Sequence, residues 1–482
     1  MPAEGSQAEP QPRGAGPHPG PAGVGETGGG TIAAVATAVA AGAGSVAIVR
    51  LSGPEAEAIG RQLFVAPGQQ LWESHRVLYG HVVDPASGER LDEALLLLMR
   101  APRSFTREDV VELHCHGGLE AVRRVLELVL AAGARRAAPG EFSQRAFLNG
   151  RLDLTRAEAV VAMITARGRR AAQLAMAGID GGIQRRITAL RERLLDQLAE
   201  LEARVDFEED LPPLDGAAVV AELAAVRAEL EALVAEAHQG ERLSEGLRVA
   251  IVGRPNVGKS SLLNLLSRRD RAIVTDWPGT TRDLLESDLV LDGVPLTLVD
   301  TAGIRVTEDP LERLGIERSH GALAAADGVL LLYDLSSGWS GDDEALRRLV
   351  PDGVPLLVVG NKADLLEPDQ SSLGAGPVGP ADVVISARSG EGREALATLL
   401  LQRCGLGDVT GLQVALNARQ RDLAAGAAAA LAASLEAAQQ QLPWDFWTID
   451  LRAAVRQLGE ITGEEVSEAV LDRVFARFCI GK

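Results

Sequence analysis

The amino-acid sequence predicts a multidomain protein with an α+β N-terminal domain, an α-helical domain, and an α/β domain inserted into the helical one. A chain of 482 residues is long enough for about three domains of ordinary size. Its hydrophobic pattern is mixed over residues 31–150, helical over 151–241, and alternates between strands and helices over 242–404. Helical periodicity returns over 405–482, so the α/β domain interrupts the helical domain.

Composition and charge limit the classes of function. The formal net charge of -19 argues against a nonspecific nucleic-acid binder, although one local patch could still hold such a partner. Three cysteines lie far apart, without disulfide or metal-site spacing, which is typical of a reducing compartment. No apolar run approaches the roughly 20 residues of a membrane span, and the N-terminus has no signal-peptide pattern. The sequence therefore predicts a cytoplasmic protein without a membrane partner.

The first 150 residues divide into an extension and a domain. Residues 1–30 are mostly Gly, Pro and Ala, with three Glu and one Arg, which predicts a disordered extension rather than an organelle transit peptide. Three strand-like runs then follow between turn residues. They are SVAIVRLSG (45–53), EALLLLM (93–99) and VVELHCHGG (110–118).

The helical domain is predicted from apolar residues that recur every three or four positions. They are Ile183, Ile187, Leu190, Leu194, Leu198, Leu201 and Val205 in one stretch, and Val219, Leu223, Val226, Leu230 and Leu233 in the next. Such stripes could form a coiled-coil dimer, but stretches this short favour helices packed within one chain.

A phosphate-binding loop is the clearest motif. The apolar strand LRVAIVG (247–253) leads into Gly-Arg-Pro-Asn-Val-Gly-Lys-Ser (253–260) and then a helix. Glycines let backbone N–H groups surround phosphate, and the helix N-terminus adds its positive dipole end. We expect Lys259 to reach the outer phosphates and Ser260 to bind Mg²⁺.

Two further segments complete the phosphate site. The strand PLTLVD (295–300) leads into Asp300, Thr301, Ala302 and Gly303, where Gly303 can donate its N–H to the terminal phosphate. Before it lies a loop with hydroxyl groups for the metal, of which Thr281 is the best second Mg²⁺ ligand. That loop consists of Thr275, Asp276, Trp277, Pro278, Gly279, Thr280 and Thr281.

The base is predicted to be guanine. A strand delivers Asn361, Lys362, Ala363 and Asp364 to the carboxyl edge of the sheet, where α/β folds bind ligands. The Asp364 carboxylate can accept from guanine N1–H and its 2-amino group, which adenine cannot offer. A second segment, Ser386, Ala387 and Arg388, would place a backbone N–H on guanine O6. The phosphate-loop contacts to GTP complete the set: Asn256, Val257, Gly258, Lys259, Ser260 and Ser261.

The hydrolytic step departs from the Ras pattern. Ile304 follows Asp-Thr-Ala-Gly where Ras-like proteins have the glutamine that orients water. A cation near Asn256, or an acid or arginine within 305–318, must therefore orient water and neutralise charge. The candidates in that segment are Glu308, Asp309, Glu312 and Arg313.

The order of these motifs resembles the GTPases activated by potassium and by dimerisation of their G domains. The flanking segments resemble one family in that group, MnmE (TrmE), from about Thr31 to the end. Its motifs are SFTREDVVELHCHGG (104–118), PGEFSQRAFLNGRLDL (139–154) and Cys-Ile-Gly-Lys (479–482).

The resemblance implies roles for particular residues. Potassium ligands would be Asn256, Thr275, Trp277 and Thr280. Glu312 matches the acid that orients water, and Cys479 is either a small buried residue or a thiol near the modification chemistry. The N-terminal domain resembles a tetrahydrofolate-binding and dimerisation module, with 5-formyltetrahydrofolate contacts at Arg50, Glu108, Arg151 and Lys482. Arg151 stands where the family commonly has lysine, which keeps the charge and changes the geometry.

The resemblance also implies partners. A homodimer would form a heterotetramer with an FAD-dependent MnmG-type protein and modify C5 of the wobble uridine (position 34) of certain tRNAs. A rival function is a GTP-gated ribosome assembly factor that binds RNA without modifying it, and a third is a dimeric scaffold. The Cys-Ile-Gly-Lys end favours the modification enzyme.

Overall fold

The computed structural model describes residues 29–39, 44–207, 214–269, 286–300, 321, 323–366, 379–407 and 414–481. Two compact units divide the chain. The first consists of Met1–Glu158 together with Gly459–Lys482, and the second of Ala159–Leu458. The C-terminal 24 positions from 459 to 482 therefore belong to the same unit as the N-terminal domain.

The first unit contains a seven-stranded sheet. Its strands are β1 (Ile32–Val35), β2 (Val46–Ser52), β3 (Phe64–Val65), β4 (Arg76–Val83), β5 (Arg90–Met99), β6 (Val110–His116) and β7 (Arg135–Arg136). The order across the sheet is β3-β4-β5-β6-β2-β1-β7. Every neighbouring pair is antiparallel except β1 and β7. The three strand-like runs predicted from the sequence coincide with β2, β5 and β6, which confirms the α+β prediction.

Side-chain alternation along β6 separates a core face from a polar face. Leu113 and Cys115 are buried in the core of this unit. Glu112 and His114 lie on the opposite face, as the period of two in a strand requires. In register with them on β2, Arg50 pairs with Glu112. The polar face therefore places charged side chains of two neighbouring strands side by side.

Helices complete the first unit. Its N-terminal part contains α1 (Ala56–Leu63), α2 (Leu119–Ala131) and α3 (Glu141–Leu148), and α4 (Leu154–Thr165) begins there. Near the C-terminus, α13 (Glu468–Phe475) packs against α3, and the Phe475 ring lies 6.3 Å from that of Phe147. Gly140 has φ +70°, and a Cβ there would lie 2.4 Å from the carbonyl oxygen of Phe475. The approach of these two segments therefore requires glycine at this position.

The second unit contains long helices. They are α5 (Arg169–Ile179), α6 (Gly182–Phe207), α7 (Gly216–Glu245), α11 (Ala418–Gln439) and α12 (Trp444–Thr462), which begins in this unit. The apolar stripes predicted from the sequence lie on α6 and α7, and Ile187, Leu194 and Leu230 are fully buried. Because α7 packs along α11 of the same chain, the interpretation as intrachain packing is confirmed.

The second unit also contains a six-stranded sheet with helices between its strands. The elements are β8 (Leu247–Gly253), α8 (Lys259–Arg269), β9 (Glu286–Leu291), β10 (Val294–Asp300), β11 (Gly328–Asp334), α9 (Gly341–Arg348), β12 (Leu356–Asn361), a 3₁₀ turn (Ala363–Leu365), β13 (Val383–Val384) and α10 (Arg393–Arg403). The order is β13-β12-β11-β8-β10-β9. All neighbours are parallel except β9 and β10. The fold is thus multidomain, with an α/β phosphate-loop domain within a helical segment, as predicted.

Candidate functional site

The phosphate loop lies between β8 and α8, where the sequence predicts it. A Cβ on Gly253 would lie 2.4 Å from the carbonyl oxygen of Leu332 on β11. Gly258 has φ +101°, and a Cβ there would lie 2.3 Å from Nδ2 of Asn361. These glycines let the loop run against two other strands of the sheet. The loop backbone is therefore placed by its neighbours as well as by its own sequence.

Polar side chains of the loop have the chemistry that nucleotide phosphates and cations require. Lys259 Nζ donates to the carbonyl oxygens of Gly253, at 2.6 Å, and Arg254, at 3.0 Å. Asn256 adopts a left-handed backbone with φ +64°, and its side chain is exposed. Ser260 is also exposed, at the start of α8. Hydroxyl and carboxamide oxygens suit hard cations, so Ser260 and Asn256 fit the predicted Mg²⁺ and K⁺.

Asn361 connects the phosphate loop to the predicted base-binding segments. Its side chain is buried; Nδ2 donates to the Val257 carbonyl at 2.8 Å, and Oδ1 accepts from the Ala387 N–H at 3.0 Å. Next to it, Lys362 Nζ lies 2.6 Å from Asp334 Oδ2. Burial alone would raise the pKa of Asp334, but this ammonium group holds the pKa below its usual value.

Asp364, the predicted guanine ligand, is exposed and oriented. Its Oδ1 accepts from Oγ of Ser386, a buried residue, at 2.6 Å. Because Ser386 belongs to the second predicted base-binding segment, the structure brings that segment, with Arg388, and the Asn361–Asp364 segment together. A fixed carboxylate can accept from two N–H groups of one base edge.

Several predicted residues lie outside the described residues. They are Thr275, Asp276, Trp277, Pro278, Gly279, Thr280, Thr281, Thr301, Ala302, Gly303, Glu308, Asp309, Glu312, Arg313 and Lys482. Asp300 ends β10, and its backbone pairs with Ile251 on β8, next to the phosphate loop. The Asp300 side chain does not belong to the part of the chain that the structure describes.

Arg50, the first predicted folate contact, has three partners in the first unit. Its Nε lies 2.7 Å from Glu112 Oε1, and its Nη1 donates to the carbonyl oxygen of Gly481 at 3.3 Å. The guanidinium carbon lies 5.8 Å from the ring centre of Phe142 on α3. Arg50 therefore joins the sheet, α3 and the C-terminal segment.

Glu108, the second predicted contact, is held by a buried network. Its Oε2 accepts from Ser52 Oγ at 2.7 Å, and both carboxylate oxygens lie 3.1 Å from Arg145 Nη1. Ser52 also shares a 2.7 Å hydrogen bond with Thr106. The Arg145 side chain is only 8% exposed, whereas that of Glu108 is 25% exposed. The carboxylate thus has a buried cation behind it and an open side.

The network continues through Glu141 on α3. Arg145 Nη2 lies 3.1 Å from Glu141 Oε1, and Arg135 Nη1 donates to Glu141 Oε2 at 2.8 Å. Burial alone would raise the pKa of Glu141, but the hydrogen bonds from Arg135 and from the Ala138 N–H hold the pKa below its usual value. Arg145 therefore lies between two carboxylates.

Arg151 and Cys479 occupy the edges of this region. Arg151 is exposed, with its guanidinium carbon 5.8 Å from the ring centre of Phe105, which packs on the apolar cluster around Phe142. Cys479 is also exposed, and its carbonyl accepts from the Gly140 N–H at 3.5 Å. The interpretation of Cys479 as a small buried residue is therefore wrong. Its chemical role stays a prediction.

Four further groups contact the predicted residues of this region and were not predicted from the sequence: Arg145, Ser52, Glu112 and the Gly481 carbonyl. A signal existed for two of them. Ser52 follows Arg50 by two positions on one strand and so shares its face, and Glu112 alternates with core residues along β6. Arg145 lies in the quoted segment PGEFSQRAFLNGRLDL, but nothing local pairs it with Glu108, which precedes it by 37 positions.

Comparisons with known proteins cover both units. A family model described as MnmE helical domain matches residues 154–479, and one described as GTP-binding protein TrmE N-terminus matches residues 31–151. The tRNA modification GTPase MnmE of Synechococcus sp. (strain RCC307) is 70% identical over 91% of this chain and 95% of that protein. The proteins of the same name from Prochlorococcus marinus (strain MIT 9313) and Synechococcus sp. (strain CC9605) are each 67% identical over 91% of this chain, and over 95% and 96% of their own lengths.

Proposed function

The chain belongs to the MnmE family of tRNA modification GTPases, and from this premise we propose a specific activity for it. It is a potassium-activated GTP hydrolase that acts with an FAD-dependent MnmG-type partner. Together they modify C5 of the wobble uridine (position 34) of certain tRNAs to a carboxymethylaminomethyl-type uridine.

The observation that carries the GTP part is the position of Asn361. Its side chain forms hydrogen bonds with Val257 of the phosphate loop and with Ala387 of the second base-binding segment. The segments proposed to bind the phosphates and the base of one nucleotide are therefore linked through Asn361. Asp364, oriented by Ser386, accepts from guanine N1–H and the 2-amino group. This pairing selects GTP over ATP.

When nucleotide binds, the Lys259 ammonium group would leave its two loop carbonyl acceptors and donate to phosphate oxygens instead. Phosphate oxygens are stronger acceptors for an ammonium group because they are negatively charged. Ser260 and Thr281 would hold Mg²⁺, and Asn256, Thr275, Trp277 and Thr280 would hold K⁺. The two cations supply positive charge against the charge that develops on the phosphoryl group. Glu312 orients the attacking water.

In the first unit, Arg50, Glu108, Arg151 and Lys482 would hold 5-formyltetrahydrofolate or a related folate. The fit rests on Glu108, whose carboxylate is fixed by Arg145 and Ser52 yet remains partly exposed, so it can accept from the N–H groups of a pterin ring. Bound folate supplies a one-carbon unit. Cys479 lies exposed at the edge of this region, beside the N–H of Gly140.

The remaining parts of the proposal concern assembly. The active form is a cytoplasmic homodimer that combines with the MnmG-type protein in a heterotetramer. Among the described residues, no helix is both long and apolar enough to cross a membrane. We assign residues 31–150 to the folate-binding-like domain, 242–404 to the G domain, and 151–241 with 405–482 to the helical domain, of which Gly459–Lys482 belong to the same compact unit as the N-terminal domain.

The test is the GTP hydrolysis rate in KCl and in NaCl at equal ionic strength, for the wild type and Asn256→Ala. Potassium-specific stimulation that is lost in the variant would support the proposal. Equal rates in both salts would overturn the potassium mechanism. Deleting residues 479–482 separates the third alternative, a GTPase that acts only as a dimeric scaffold, because a scaffold would keep its activity without them.

A further inference from the structure

The phosphate loop has an anchor outside the predicted nucleotide motifs. Arg254, its second residue, lies with Nε 2.8 Å from Oδ1 of Asp343 in the first turn of α9. Its Nη2 also contacts Ser337 Oγ and the Gly338 carbonyl, each at 3.4 Å. The Asp343 side chain is fully buried, whereas that of Arg254 is 25% exposed. The loop is thus tied by a charged pair to α9 and by two longer contacts to the segment between β11 and α9.

Asp343 is itself immobilised. Its Oδ2 accepts from the Ser340 N–H at 2.9 Å and from Ser340 Oγ at 2.7 Å, and its own N–H donates back to Ser340 Oγ at 3.4 Å. This reciprocal capping fixes the carboxylate at the N-terminus of the helix, where its charge is also favoured. The ion pair therefore places Arg254 at a defined point.

Two residues of the loop are held by two different elements, α9 and β12. Arg254 is held by Asp343, and Val257 by Asn361. Asn256 lies between them with a left-handed backbone, a conformation that asparagine adopts more readily than most residues other than glycine. Lys259 also holds the Arg254 carbonyl, but that bond is exchanged when the ammonium group turns to phosphate. Among the described contacts of the Arg254 side chain, the Asp343 pair then remains as the short, charged one, beside the 3.4 Å contacts with Ser337 and Gly338.

We infer that Asp343 is a positioning residue for nucleotide binding, which acts through Arg254 to preset the phosphate loop. The inference rests on the proposed GTP site. A purely structural role, as helix cap and ion pair, would lower the unfolding midpoint without a matching change in nucleotide affinity. If Asp343 positions the loop, its substitution weakens nucleotide affinity, because the released loop must be ordered again each time nucleotide binds.

Asp343→Asn in the full-length protein tests the inference against Asp342→Asn. Asp342 is exposed in the same helical turn, so the control removes the same charge near the same helix terminus without touching Arg254. Asparagine keeps the shape and can still accept from Ser340. We measure affinity for mant-GDP by fluorescence titration, the unfolding midpoint by calorimetry, and kcat and KM for GTP. In Asp343→Asn we expect the affinity for mant-GDP to fall and the KM for GTP to rise, each by about tenfold, because one charge-assisted hydrogen bond is lost. In Asp342→Asn both quantities should equal those of the wild type.

A double-mutant cycle with Arg254→Gln identifies the route. If Asp343 acts through Arg254, the effects of the two substitutions on mant-GDP affinity must be non-additive. Arg254→Lys must retain part of the mant-GDP affinity that Arg254→Gln loses. Wild-type affinity in Asp343→Asn, or additive effects, would overturn the inference while leaving the proposed function intact. Failure of the wild type to bind mant-GDP would overturn the proposed function, and this inference with it.

Discussion

Arg50 Nη1 donates to the carbonyl oxygen of Gly481 at 3.3 Å, which joins a strand near the start of the chain to the Cys-Ile-Gly-Lys segment at its end. Gly481 has φ +95°, and a Cβ there would lie 2.4 Å from the carbonyl oxygen of Val35 on β1. The C-terminal segment therefore runs close to the sheet only because position 481 is glycine. Its carbonyl becomes part of the proposed folate site.

Gly481→Ala should displace this segment. The left-handed conformation and the contact with Val35 both oppose a methyl group, at a cost on the order of 1–3 kcal/mol. Since the Gly481 carbonyl then leaves Arg50, we expect affinity for 5-formyltetrahydrofolate to fall about tenfold, as measured by isothermal titration calorimetry. GTP hydrolysis, proposed for the second unit, should not change.

Ile480→Ala is the matched control, because Ile480 is exposed and loses no described contact of this kind. It should bind folate like the wild type. Undiminished folate affinity in Gly481→Ala would show that the Arg50 contact with the C-terminal segment does not contribute to the site.

Sequence patterns predicted the nucleotide site because its parts are local. The strand LRVAIVG, the loop and the helix that begins at Lys259 are consecutive in the chain. The same holds for Asn361, which ends one buried strand, and for Asp364, which follows three positions later. When a motif and the strand and helix that flank it are consecutive in the chain, all three can be recognised from the sequence.

Pairs distant in sequence could not be predicted in this way. Arg145 on α3 meets Glu108 across 37 positions, and Asp343 meets Arg254 across 89 positions because α9 packs against β8. The membership of Gly459–Lys482 in the first unit likewise depends on the packing of α13 against α3. Such contacts follow from packing, which periodicity alone does not specify.

Asp364→Asn should change the base preference. The carboxylate accepts from two N–H groups of guanine, whereas asparagine presents an amide N–H₂ that can donate to the additional carbonyl of xanthine. We expect GTP affinity to fall roughly 10- to 100-fold and xanthosine triphosphate to bind more tightly than GTP. Competition against mant-GDP measures both.

Asp352→Asn removes one carboxylate from an exposed turn of the same unit and should leave the preference unchanged. If Asp364→Asn still prefers GTP, the base contact lies elsewhere.

Glu57 should make the first unit sensitive to acid. The hydrogen bond from Arg100, together with that from Arg61, lowers the pKa of Glu57 from 4.5 to about 2. A carboxyl group whose folded pKa is depressed contributes stability above its unfolded pKa, and this contribution is lost as the pH falls from about 4.5 towards 2. Glu57→Gln lacks the contribution at every pH. The difference in urea midpoint between wild type and variant should therefore narrow between pH 5 and 3.

Glu127→Gln, which removes a half-exposed carboxylate on α2, serves as the comparison. A Glu57→Gln difference that stays constant over this pH range would contradict the assigned pKa shift.

Cysteine reactivity should distinguish Cys479 from the other two thiols. Burial raises the pKa of Cys115 to about 12 and that of Cys404 to about 11, so near pH 8 neither offers appreciable thiolate, and neither is accessible. Cys479 is exposed. Brief treatment of the folded protein with iodoacetamide should therefore alkylate Cys479 alone, as peptide mass spectrometry would show. Cys479→Ser should remain unmodified until urea unfolds it, when Cys115 and Cys404 become reactive. Alkylation of either buried cysteine in the native protein would mean that the core around it opens on the timescale of labelling.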